Sequence, residues 1–170
     1  MARPEIRVQF AHGLESSPQG NKARLFAEHF TAETPAMNTR DFESCVAVHA
    51  RTLETFQPNV LVGSSFGGAV VVELLQRGLY RGATLLLAQA ALHYRPQARL
   101  PQGVRATLVH ARQDDIVAFE HSEQLARTGT PELVRLVACD DDHPLTKLCE
   151  SGELVAWVER CYDEHQSARR

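Results

Sequence analysis

Apolar and polar positions along the chain follow two different periods in turn. Short apolar runs are typical of buried strands, and apolar residues recurring every three or four positions are typical of one face of a helix. The pattern predicts strands at 6–11, 60–63, 83–90, 105–111 and 133–139, and a further short strand at 36–42. It predicts helices at 20–30, 44–56, 67–80, near 118–127 and near 151–165, with a loop over 91–103.

Strands that alternate with helices predict an α/β protein, a three-layer α/β/α sandwich around a mostly parallel sheet of about six strands. The most continuous apolar runs, at 60–62, 84–88 and 134–138, favour central strands. Because neither a repeat nor a linker divides the 170 residues, we expect one domain over 1–170. Functional side chains in such sheets follow the carboxyl ends of the strands, so the chemistry is to be sought directly after the apolar runs.

Composition narrows the classes of function. Charged residues make up 23% of the chain and the formal net charge is −3, which argues against a nucleic-acid binder. No stretch approaches the roughly 20 apolar residues of a membrane span, and the first residues lack the apolar segment of a signal peptide. We therefore expect a cytoplasmic protein that acts on a small molecule, without a nucleic-acid or membrane partner. The sequence leaves its oligomeric state open.

The segment GSSFG at 63–67 lies between a predicted strand and a predicted helix. It matches G-x-S-x-G, the pattern that holds a nucleophilic serine on a sharp strand-to-helix turn. Residues two before and two after such a serine crowd each other and must be small, which selects Ser65, between Gly63 and Gly67, over Ser64. A serine turn that caps a helix is the alternative; a phosphate-binding loop would need the absent G-x-x-x-x-G-K-[ST] pattern.

A serine hydroxyl needs a base, and position selects among the eight histidines. His143 follows the last predicted strand, at the same edge of the sheet as Ser65. His93, in the predicted loop, is the second candidate. His110 lies inside a strand pattern and is interpreted as packed. The histidines in helix-like segments are interpreted as solvated: His29, His49, His121 and His165.

A carboxylate that orients the imidazole would complete the site. Asp114 and Asp115 both follow a predicted strand, and either gives the chain order Ser…Asp…His of α/β-hydrolases. The aspartates at 140–142, beside His143, are interpreted as solvated loop residues. A metal site built from DDDH would need a second cluster of ligands, which the sequence does not offer. We therefore expect no metal ion.

The loop after the first predicted strand offers the second half of an oxyanion hole. His12 and Gly13 allow a tight turn that aims the N–H of Leu14 across the top of the sheet, where the N–H of Phe66 also points. A glycine turn followed by a Ser-Pro helix start is the alternative interpretation. A catalytic His12 would break the order Ser…Asp…His, so we assign it to shaping the loop.

Four segments resemble those of small single-domain α/β-hydrolases of the YqiA-like esterase group. AHGLESSPQGNKA resembles the opening HGF-x-SSP-x-S-x-KA, and GSSFGG resembles the elbow GSSLGG. HARQDDIV resembles the acid segment HG-x-x-D-x-x-V, which by register places the acid on Asp114, and DDDHPL resembles the loop that bears the histidine. The resemblance implies a minimal α/β-hydrolase fold without the first two strands of larger relatives. It also implies cofactor-free hydrolysis of carboxylic esters or thioesters through an acyl-enzyme.

The connection between the strands predicted at 83–90 and 105–111 is too short for a substantial lid. An open site suits short or exposed acyl groups, which we take as the expected substrates. Two other functions fit the same residues. One is a hydrolase-like binding module without turnover, and the other is a transacylase or peptidase that uses the same three side chains.

Overall fold

A computed structural model describes residues 4–170. Within this range six strands form one sheet: β1 (Arg7–Ala11), β2 (Thr31–Glu33), β3 (Val60–Ser64), β4 (Ala83–Leu87), β5 (Ala106–Ala111) and β6 (Val134–Cys139). The helices are α1 (Asn21–His29), α2 (Phe42–Phe56), α3 (Phe66–Gln76), α4 (Ala91–Tyr94), α5 (Phe119–Ala126), α6 (Thr146–Ser151) and α7 (Glu153–Ala168). The strands lie in the order β2-β1-β3-β4-β5-β6, and all neighbours are parallel.

The sheet is covered on both faces, because alternate side chains of each strand point to opposite sides. On one face Leu61 and Leu86 pack against α2, α3 and α5. On the other face Val62 and Leu85 pack against α1, α6 and α7. Each fully buried aliphatic side chain contributes about 1.5–3 kcal/mol to the stability of the folded state. The predicted three-layer α/β/α sandwich is confirmed, and the helices hold β3 and β4 in the interior.

The predicted strand at 36–42 is wrong. The second strand is instead β2, three residues long, and residues 36–41 form a loop that leads to α2. Two polar contacts direct this loop: the N–H of Asp41 donates to the carbonyl oxygen of Asn38, and the Asp41 carboxylate accepts from the N–H of Ser44. The segment therefore serves to start a helix, which is the usual role of aspartate at such a position.

The central position predicted for 134–138 is also wrong, since β6 is an edge strand. Its apolar side chains are only partly buried: Val134 and Leu136 pack on one layer of helices and Val137 packs on the other. An edge strand covered on both faces is as apolar in sequence as a central one. The ladder on its inner side with β5 fixes its register.

Two helices depart from the sequence prediction. The predicted loop at 91–103 begins with the short helix α4, and α6 precedes the predicted terminal helix. Gly152, with φ of +83°, separates α6 from α7, because a left-handed residue ends the first helix there. No helix within residues 4–170 combines the length and the apolar character needed to cross a bilayer.

Candidate active site

Ser65 stands at the centre of the carboxyl edge of the sheet, directly after β3. Its backbone has φ +53° and ψ −116°, a conformation that costs a non-glycine residue about 1–3 kcal/mol. Four backbone hydrogen bonds hold it: the N–H donates to the carbonyl oxygen of Leu87, and the carbonyl oxygen accepts from the N–H groups of Gly68, Ala69 and Ala90. The side chain of Ser65 is thus presented at the start of α3, whose positive end favours a developing negative charge.

Glycines make this sharp turn possible by leaving room for backbone. A Cβ at Gly63 would lie 2.6 Å from the carbonyl oxygen of Gly67, so the two positions do crowd each other. A Cβ at Gly67 would overlap the carbonyl oxygen of Ala11 at the end of β1. Both contacts are with backbone atoms, which cannot move aside as a flexible side chain does. The elbow therefore requires glycine at 63 and 67.

Three side chains that are distant in sequence meet at this edge. The Oγ of Ser65 lies 2.9 Å from Nε2 of His143, and Nδ1 of His143 lies 2.6 Å from Oδ2 of Asp114. A carboxylate only accepts hydrogen bonds, so Nδ1 carries the ring proton and Nε2 is left to accept from the serine hydroxyl. The arrangement places a bare imidazole nitrogen against a hydroxyl, as proton abstraction requires.

Asp114 is held by more than the histidine. Its side chain is fully buried, and Oδ1 accepts from the N–H groups of Ile116 and Val117 at 2.8 Å each. Burial alone would raise the pKa of Asp114, but the hydrogen bonds from His143 and from these N–H groups outweigh it, and the pKa is lowered. The carboxylate therefore stays ionised. Asp115, the rival candidate, is exposed, and it is Asp114 that contacts His143.

The loop that bears His143 is fixed from two sides. Lys22 on α1 donates through Nζ to the carbonyl oxygen of Pro144 at 2.5 Å, and burial lowers the pKa of this lysine. Asp142 accepts from the N–H of Thr146 at 2.9 Å, and Asp141 accepts from two further N–H groups at the start of α6. These aspartates are therefore capping groups and not merely solvated. Lys22 belongs to the opening segment AHGLESSPQGNKA, but sequence reasoning gave it no role of its own.

The loop after β1 lies close to the elbow. A Cβ at Gly13 would be 3.5 Å from the Cβ of Ser65, so the backbone that carries Leu14 approaches the serine closely. His12 is buried, and its Nδ1 donates to the carbonyl oxygen of Gly13 at 2.8 Å, which agrees with its assignment to shaping the loop. Phe66 is the first residue of α3, where an N–H has no acceptor within the helix.

The remaining histidines divide into packed and exposed residues. His49 is fully buried on α2, where Nδ1 accepts from Gln9, so its interpretation as solvated is wrong. His93 is exposed and its ring packs on that of His121, whereas the imidazole that contacts Ser65 is that of His143. Residues 4–170 contain no group of three or more His, Cys, Asp or Glu side chains arranged to hold a metal ion.

Comparisons with solved structures identify the fold. No protein-family model matches the chain, and a comparison with curated proteins gives no match. Solved structures do match. One from Xanthomonas campestris pv. campestris, assigned to the hydrolases of the α/β superfamily, has a TM-score of 0.74 at 21% identity and covers 96% of this chain and 99% of its own. The chain therefore has the α/β-hydrolase fold.

Two further solved structures resemble the chain. Mouse alpha/beta hydrolase domain-containing protein 10 has a TM-score of 0.77 at 16% identity, with 93% of this chain and 90% of that chain covered. Est1E of Butyrivibrio proteoclasticus, solved with ferulic acid, has a TM-score of 0.74 at 14% identity, with 95% and 90% covered. At such identities the likeness concerns the fold, so the chemistry must be argued from the site itself.

Proposed function

We propose that the protein is a serine hydrolase that cleaves a carboxylic ester or thioester of a short or exposed acyl group. One observation carries the proposal: the continuous hydrogen-bonded chain from Ser65 through His143 to Asp114, with distances of 2.9 Å and 2.6 Å. A strained serine, a bare imidazole nitrogen and a buried ionised carboxylate in series are the parts of an acyl-transfer site. Gly63 and Gly67 hold the elbow on which the serine stands.

In the first half of the reaction Oγ of Ser65 attacks the acyl carbonyl carbon while Nε2 of His143 takes the hydroxyl proton. The carbonyl oxygen becomes an oxyanion, for which the N–H groups of Leu14 and Phe66 are the donors. Each such donor contributes about 3 kcal/mol to the transition state. His143 then gives its proton to the leaving alcohol or thiol, and the acyl group remains on Ser65. Asp114 stays ionised and stabilises the imidazolium ion.

In the second half a water molecule replaces the leaving group. Nε2 of His143 takes a proton from the water as the water oxygen attacks the acyl-enzyme carbonyl. The tetrahedral intermediate collapses with return of that proton to Oγ of Ser65, which releases the carboxylic acid. No electron transfer or metal ion is needed for these steps.

The surroundings of the site support an acyl group that is short or exposed. The connection between β4 and β5 holds only the four-residue helix α4. Leu14 and Ile116, whose residues are 50% and 63% exposed, are two of the three large exposed apolar residues in the described part of the chain. Both follow residues of the site, so an acyl chain would rest on an open apolar rim. The opening and elbow motifs further support membership of the YqiA-like esterase group.

Covalent labelling tests the proposal. A fluorophosphonate should label the parent protein, and Ser65→Ala should abolish the label and lower ester hydrolysis by several orders of magnitude. Ser64→Ala is the matched control, since it removes the neighbouring hydroxyl and should leave the label intact. A folded parent that takes no label and turns over no acetyl or butyryl ester would instead support the binding-module alternative. A panel containing an acceptor alcohol and a peptide would detect transacylase or peptidase activity.

A further inference from the structure

A second histidine lies behind the carboxylate of the candidate site. His110, the penultimate residue of β5, is fully buried. Its Nε2 lies 2.8 Å from the carbonyl oxygen of Val117 and 3.2 Å from Oδ2 of Asp114. Its Nδ1 lies 2.7 Å from Oγ of Ser122 on α5. Asp114 thus has an imidazole on each side, although the proposed reaction uses only that of His143.

The neighbouring acceptors determine where the proton of His110 resides. A carbonyl oxygen and a carboxylate only accept, so Nε2 carries the proton and shares it between Val117 and Asp114. Nδ1 is therefore bare and accepts from the hydroxyl of Ser122. That hydroxyl accepts in turn from Nε2 of Gln89 at 3.0 Å, and the other amide atom of Gln89 accepts from a backbone N–H at 2.8 Å. Every polar atom of this buried series has a partner.

We propose that His110 is a positioning residue of the active site: its Nε2–H holds Oδ2 of Asp114 in the orientation that His143 requires. The inference rests on the proposed function, because it concerns the same site. Oδ1 of Asp114 accepts two backbone hydrogen bonds, and Oδ2 accepts one from His143 and lies 3.2 Å from Nε2 of His110. A carboxylate saturated in this way cannot rotate without leaving buried donors unpaired, which is costly. Gln89 and Ser122 fix the tautomer of His110 and so influence Asp114 only through His110.

The second donor also keeps the negative charge on the carboxylate during turnover. When His143 is an imidazolium ion, its Nδ1 proton lies between the ring and Oδ2 of Asp114. An N–H from His110 to the same oxygen favours the ionised carboxylate and opposes transfer of that proton. His110 itself stays neutral, since burial lowers its pKa. The two imidazoles therefore differ in role: one exchanges protons and the other is a fixed donor.

The test compares two substitutions of His110. His110→Leu fills a similar volume without polar atoms, whereas His110→Gln keeps an amide N–H near the position of Nε2. We expect His110→Leu to lower kcat about tenfold or more while KM changes less than about twofold, since one hydrogen bond to a charged group is lost. His110→Gln should restore most of kcat. The low-field NMR resonance of the His143 Nδ1 proton should persist in His110→Gln and weaken or shift in His110→Leu.

Ser122→Ala keeps the test decisive if His110→Leu does not fold. It removes the donor to Nδ1 of His110 and should lower kcat severalfold without changing KM. The inference is overturned if His110→Leu, or Ser122→Ala in its place, keeps both the parental kcat and the parental resonance. It is also overturned if His110→Gln is as impaired as His110→Leu. The resonance needs no turnover, so a parent that shows it without Ser65-dependent hydrolysis contradicts the proposed function and not the placement of His110.

Discussion

Replacing Asp114 by asparagine changes the donors of the site while keeping its shape. The amide oxygen of Asp114→Asn would accept from the N–H groups of Ile116 and Val117, as Oδ1 does now. The NH₂ group would then face Nδ1 of His143, which must become an acceptor. The ring proton moves to Nε2 and points at Ser65, so the histidine cannot accept the serine proton. The reverse amide orientation would place the NH₂ group against the N–H groups of Ile116 and Val117, each of which would lose its acceptor.

The size of the effect follows from the lost charge. In the transition state the imidazolium ion of His143 faces a carboxylate whose Oδ2 is 2.6 Å from Nδ1. With charge centres about 4 Å apart and an effective dielectric constant of about 20, their attraction is about 4 kcal/mol. The loss of this attraction corresponds to about a thousandfold decrease in rate. In serine proteases the same substitution also imposes the wrong histidine tautomer, and kcat falls about 10⁴-fold. We therefore expect kcat to fall 10³- to 10⁴-fold, an order-of-magnitude range.

The assay is the rate of acetyl ester hydrolysis together with the rate of fluorophosphonate labelling. The neighbouring substitution Asp115→Asn is the matched control, because that residue is exposed and lies one position along the same loop. It should change either rate less than about twofold, since single exposed charges contribute little. The reasoning is refuted if Asp114→Asn retains more than a tenth of the parental rate, or if Asp115→Asn loses as much.

Three further results are expected. Gly67→Ala should lower the free energy of unfolding, measured in urea, by about 3 kcal/mol or more, because the added Cβ overlaps backbone atoms. Gly78→Ala is the control: Gly78 has φ +71° but open space around it, so the substitution should cost about 1 kcal/mol. Equal losses in the two variants would contradict this prediction. Ile116→Ser should reduce the ratio of the butyryl ester rate to the acetyl ester rate about fourfold, which is the effect of burying one methylene group less. Leu79 is also exposed, and Leu79→Ser, as the control, should leave this ratio unchanged. Burial lowers the pKa of His49 to about 4, so the unfolded chain binds a proton between pH 6.5 and 4 that the folded one does not. The free energy of unfolding should therefore fall by about 3 kcal/mol as the pH is lowered from 6.5 to 4. In His49→Gln this part of the pH dependence should be absent.

Apolar periodicity predicts the architecture well where strands are buried on both sides. β3 and β4 have continuous apolar runs because every side chain of both strands is buried. β2 could not be found in this way, since it is three residues long and only partly buried. The prediction that 134–138 is a central strand was wrong because helices cover both faces of β6. An edge strand covered in this way has the same apolar composition as an inner strand.

The candidate site is predictable as far as it depends on strand ends. Ser65, Asp114 and His143 each follow a strand, and a parallel sheet brings such ends to one edge. The role of His110 was not predicted, because its position inside a strand pattern indicates packing and a packed side chain can still contact Asp114. The role of Lys22 was not predicted because Lys22 and its partner Pro144 are separated by 122 residues along the chain. Local sequence patterns do not show which residues so far apart in sequence come into contact.

The six strands within residues 4–170 run in one direction, so the turns that enter the strands lie at the edge opposite the candidate site. The turn between α3 and β4 is one of these, and Gly78 within it has open space around it. A fluorophore or a surface linker attached there would be held at the far side of the molecule from Ser65. Immobilised through this turn, the protein would present its reactive face uniformly to the solution.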